Sequence, residues 1–153
     1  MRGVYVGEVK ISALAVSKTL IMMTAPALKA VEILSAHIGN VGTNVTNQQL
    51  EACFQRVTTV GAAAGGAMTP SPMEAGDQAS QSTLISALTT EPTTYTNNTQ
   101  VGYKGFASLG GYEFAPVPEE RPLIPPAGVM GLRMLSTPTA VDLIVTVAYR
   151  ELG

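Results

Sequence analysis

The chain has 153 residues, enough for one domain with a sizeable core. Charged residues make up 13%, about half the ~25% of ordinary soluble domains, and the net charge is −2. This balance excludes the concentrated basic surface of a nucleic-acid binder, and the single cysteine, Cys53, excludes an intramolecular disulfide framework.

The first ten residues are too charged for the apolar region of a signal peptide. The longest apolar stretch, 11–31, is broken by Lys18, Pro26 and Lys29, so no membrane span is expected. Val9, Ile11, Ala13 and Ala15 alternate with Lys10, Ser12 and Leu14, the period of a strand. Residues 19–24 form an apolar run closed by Ala25-Pro26. Between Val31 and Ile38 the apolar phase changes, predicting a bulge near Ile33 or a strand buried on both faces.

The stretch 47–60 fits two templates. Leu50, Cys53, Phe54 and Val57 have helical spacing, and Thr46 with Gln49 matches a capping box. Leu50, Ala52 and Phe54 also alternate as a strand and run into the β-branched Val57-Thr58-Thr59-Val60. All its neighbours are β, which favours the strand.

Residues 61–82 read as a long irregular loop, and loops of that length usually carry function or an interface. A short strand is expected at 84–89, a polar loop at 91–98, and strands at 100–109 and 112–117 around Gly110-Gly111. The turn Pro125-Pro126-Ala127-Gly128 leads to the clearest signals, strands at 129–135 and 141–152. In the last of these, Val141, Leu143, Val145, Val147 and Tyr149 alternate with Asp142, Ile144, Thr146, Ala148 and Arg150. About eight strands, Pro- and Gly-rich corners and no convincing long helix predict an all-β chain, an antiparallel β-sandwich of jelly-roll type.

Catalytic sets are not recognisable. His37 is the sole histidine and lies in an apolar run, so one His and one Cys cannot supply a tetrahedral zinc set. Glu119 and Glu120 are adjacent and on a strand would face opposite ways, unlike a glycosidase pair. The Gly-rich stretch 61–66 lacks the Lys-Ser/Thr of a phosphate loop. No enzyme activity, cofactor or metal is expected.

Several segments carry a family resemblance. They are Gln55-Arg56-Val57-Thr58-Thr59 with the Gly/Ala-rich loop after it, and Thr69-Pro70-Ser71-Pro72-Met73-Glu74-Ala75-Gly76-Asp77 followed by Gln78-Ala79-Ser80. Further on come Phe114-Ala115-Pro116-Val117-Pro118-Glu119-Glu120-Arg121-Pro122, Ile124-Pro125-Pro126-Ala127-Gly128, and a last strand ending in Arg150-Glu151-Leu152. In this order they resemble a family of tailed-bacteriophage virion proteins, the jelly-roll capsid decoration (cement) subunits. The resemblance covers residues 30–153.

It implies a structural protein on the capsid exterior, made in the host cytoplasm, that forms a homotrimer and binds the major capsid protein, with no nucleic-acid or membrane partner. A receptor- or carbohydrate-binding jelly roll of a tail or head fibre is the alternative, its aromatic platform resting on Tyr95, Tyr103 or Tyr112. Residues 1–10 match none of these pieces and are expected to form an N-terminal arm ahead of a single domain, 11–153. Candidate intersubunit contacts are Tyr5 in the arm, Thr69 and Met73 in the long loop, and Glu119, Glu120 and Arg121, whose flanking prolines stiffen the backbone.

Overall fold

The computed structural model describes residues 3–42 and 46–153, without the side chains of 97–99. Strands dominate because period-two patterning gives each one a face to bury. In β12 (Val141–Leu152) the five alternating apolar residues Val141 to Tyr149 are buried while their neighbours are half-exposed. β12 lies between β1 (Val4–Leu14) and β3 (Ala30–Asn40), antiparallel to both. The far edge of β3 is covered in turn by β9 (Tyr112–Phe114) and β10 (Leu123–Ile124), and that of β1 by β6 (Ser71–Pro72).

The second sheet runs β5-β7-β2-β11-β4-β8, comprising β5 (Ala64–Met68), β7 (Thr83–Thr90), β2 (Lys18–Thr24), β11 (Val129–Met134), β4 (Gln49–Thr59) and β8 (Thr94–Ala107). Strands β1 to β4 alternate between the sheets. β11 then inserts between β2 and β4, and β12 between β1 and β3. That interleaving of early and late strands is the double Greek key of a jelly roll. Inward rows from both sheets form one core that includes Ile11, Ile33, Ile38, Leu84, Leu132 and Val145. Each such side chain contributes about 1.5–3 kcal/mol by leaving water. Ring pairs Tyr5–Tyr149, Phe54–Phe114 and Phe106–Tyr112, with centroids 5.4–5.8 Å apart, fill its wider parts.

Several sequence expectations hold and several are corrected. The phase change in β3 is a bulge: Ile33 opposes Tyr149 and Ser35 opposes Ala148, leaving Leu34 unpaired. Residues 47–60 resolve as the strand β4. The irregular loop 61–82 contains the short strands β5 and β6, while β8 begins within the expected loop 91–98 and β9 ends at Phe114.

The expected arm is corrected. From Val4 onward it is β1, with Tyr5 opposite Tyr149 and Val9 opposite Val145. Glu8 and Lys10 occupy the outward phase of a strand whose inward phase includes the buried Tyr5, Gly7 and Ile11.

Candidate interaction surface

The turn at Pro118 organises one long edge of the first sheet. Pro118 has its φ preset and no N–H to satisfy, so residues Pro118–Glu120 close a single 3-10 turn, with Glu120 N donating to Val117 O at 2.9 Å. Glu119 and Glu120 project into solvent and form no ion pair among the described residues. Arg121 turns the other way. Its guanidinium lies 3.8 Å from Glu32, whose second oxygen accepts Arg150 Nη2 at 2.5 Å. Glu32 and Arg150 are direct cross-strand partners, and Leu123 of β10 stands opposite Glu32 on the other side. Arg56 reaches across from the second sheet and donates to the Leu123 carbonyl at 2.9 Å. Arg121 is therefore an internal anchor for the turn, while Glu119 and Glu120, flanked by exposed Val117 and Leu123, are free to meet a neighbour.

Tyr5, Thr69 and Met73 gather at the opposite edge of the same sheet. Tyr5 itself is corrected as a contact residue: it is buried against Tyr149, and its hydroxyl donates to Gln78 O at 3.1 Å. Its phase in β1 is inward, which the sequence reading of a free arm could not register. Thr69 and Met73 flank β6, which pairs with Tyr5 and Val6, and Met73 N donates to Val4 O at 2.9 Å. The Met73 residue is 64% exposed. Gly3, Tyr5, Glu74, Asp77 and Gln78 line a shallow hollow of ≈ 500 Å³ beside it.

The loop after β6 is fastened by Glu151, whose side chain is 3% exposed. One of its oxygens accepts from Ser80 Oγ, Gln81 N, Ser82 N and Ser82 Oγ at 2.8–2.9 Å, and Lys29 Nζ lies 3.7 Å from the other. Burial alone would raise this carboxyl's pKa, but the four donors outweigh it and hold the pKa below its usual value. Ser80 Oγ also meets Tyr149 OH at 2.6 Å, which joins the loop to the core.

A second polar network fastens the β7–β8 connection to the outward face of the other sheet. Glu91 accepts from Thr19 N at 2.7 Å, Thr19 Oγ1 at 2.6 Å and Tyr95 OH at 2.7 Å, and the two hydroxyls also touch each other. The Arg133 guanidinium stacks 3.8 Å from the Tyr95 ring centroid and donates to Gln55 Oε1 at 2.7 Å. Burial pushes the Tyr95 phenol up to about 12. Glu151, Glu32 and this network went unread in the sequence. The available signal was a charged residue inside an otherwise apolar strand, Arg133 between Leu132 and Met134, which demands a partner.

Groups with catalytic potential are kept apart. His37 is exposed on the outward side of β3 opposite Glu113, whereas Cys53 is buried in β4 of the other sheet. Burial pushes the Cys53 thiol up, against an opposing pull from Arg133. No group of three or more His, Cys, Asp or Glu that could hold a metal occurs among the described residues. The three tyrosines of an aromatic platform are likewise dispersed: Tyr112 is buried, Tyr95 lies under Arg133, and only Tyr103 is exposed.

Comparisons with protein-family models, curated proteins and solved structures gave no match to this chain.

Proposed function

We propose that this chain is a virion structural protein, a capsid decoration (cement) subunit that self-associates as a trimer and binds an assembled capsid shell from outside. The observation that carries the proposal is the proline-stiffened ridge 117–123. It presents two carboxylates without an ion pair among the described residues, and two exposed apolar residues, on a turn already anchored through Arg121, Glu32 and Arg150. Such a ridge loses little entropy on docking and suits a basic patch of a major capsid protein. The edge carrying Thr69 and Met73 lies on the other side of the same sheet, so neighbouring subunits can engage both edges at once. The mechanism is mass action: a subunit that binds the assembled lattice and not its dispersed parts stabilises the shell, and many copies act together.

The test is sedimentation of purified protein with capsid shells that lack it, followed by heating of the decorated shells. Wild type is expected to pellet with the shells and raise their disruption temperature. The double variant Glu119→Lys, Glu120→Lys should bind about tenfold more weakly, with its own fold intact. Wild-type protein that stays in the supernatant over intact shells would rule the proposal out.

A further inference from the structure

Four connections gathered at one end of the sandwich carry no charge among their described residues. Cross-strand pairs Leu14–Val141, Leu143–Asn40 and Gln49–Ala107 place the β1–β2, β11–β12, β3–β4 and β8–β9 connections together at that end. The residues concerned are 13–17, 40–42, 46–48, 108–111 and 135–140, and none is Asp, Glu, Lys, Arg or His. Three large apolar side chains stand out from it: Val16, 53% exposed, Val41, 43%, and Leu109, 63%. Charges border it at Lys18, at Asp142, whose carboxylate accepts from Ala13 N at 2.7 Å, at Glu51, whose backbone bonds Leu135 and Ser136, and at Glu91, which accepts from Thr19 N at 2.7 Å. By contrast, the other end carries Lys29, Glu74 and Asp77 in its loops.

This end is also stiff. Gln48 joins three of the connections: its N donates to Ser108 Oγ at 3.0 Å, its Nε2 to Thr139 O at 3.1 Å, and its Oε1 accepts from Thr139 N at 2.7 Å. Amides and hydroxyls thus do there what ion pairs do at Glu32 and Glu151. Two exposed alanines at this end, Ala13 at φ 51° and Ala140 at φ 43°, hold left-handed backbone that a glycine would adopt without strain.

The structure assigns these uncharged loops to contact with second copies of the same chain. Around a symmetry axis identical residues face one another, so any charge there meets its own like, and only a neutral surface converges without repulsion. On this molecule that condition is met by the loops bearing Val16, Val41 and Leu109, and the matching uncharged surface is the same set of loops on another copy. The inference rests on the self-association in the proposed function and gives it an address.

Native mass spectrometry and sedimentation velocity on Leu109→Asp and Leu109→Lys test it, with Leu28→Asp at the other end, where Leu28 is 92% exposed, as control. Wild type and the control should be oligomeric, and each Leu109 variant monomeric with unchanged circular dichroism. Leu109 variants that keep the wild-type mass, or a wild type monomeric at micromolar concentration, would each overturn it. Shell binding by monomeric Leu109 variants, scored separately, reports on the proposed function and not on this contact.

Discussion

Glu151 shows how a single buried charge fixes a loop. Its pKa is held below the usual carboxylate value, so its contribution is fully present above that value and is lost as pH falls through the folded-state pKa. Urea denaturation should therefore show wild type losing more stability between pH 7 and about pH 3 than Glu151→Gln does. At pH 7, Glu151→Ala should cost about 3 kcal/mol, since it strands two backbone N–H groups and two hydroxyls. Tyr95 makes a spectroscopic prediction. With its phenol and that of Tyr149 pushed up to about 12 and Tyr112 raised further, the native protein near pH 11 should show well under the full tyrosinate absorbance until it is unfolded. Neither site was legible in the sequence, because the donors to Glu151 lie some 70 residues away and no local pattern announces them.

At the scale of elements, legibility followed periodicity. β12 was readable because alternation within one strand is a local signal, β11 as an apolar run after the turn 125–128, and the β3 bulge as a change of apolar phase. β1 was read as an arm because residues 1–10 match no piece of the resemblance, and no local pattern shows the partner strand β12 that hides Val4 and Tyr5. β5 was missed because Ala64-Gly65-Gly66-Ala67 has no alternation to read and is a strand only by pairing with β7. The β1 assignment makes a sharp prediction. Removing residues 3–7 should abolish cooperative thermal unfolding, since it exposes Tyr149 and the flank of β12, whereas loss of a free arm would leave the melting temperature unchanged. The ridge 117–123 should behave oppositely: Glu119→Lys with Glu120→Lys should shift stability by no more than about 0.5 kcal/mol in chemical denaturation, as both side chains are exposed and form no ion pair among the described residues.

For the whole molecule, the jelly-roll architecture was legible as a class, and it says nothing by itself about function. What bears on function is the distribution of charge. Arg121, Arg150, Lys29 and Arg133 are turned onto partners within the chain, two carboxylates stand on a stiff ridge, and a group of loops without charge carries three exposed apolar residues. The proposed role uses these features in many equivalent contacts. The most direct measurement of the proposed decoration role is quantitative mass spectrometry of virus particles purified from cells in which the chain is expressed. A decoration subunit predicts copies on the order of hundreds per particle, in fixed ratio to the major capsid protein. Its absence from the particles, or a stoichiometry of roughly a dozen or fewer, would contradict the account.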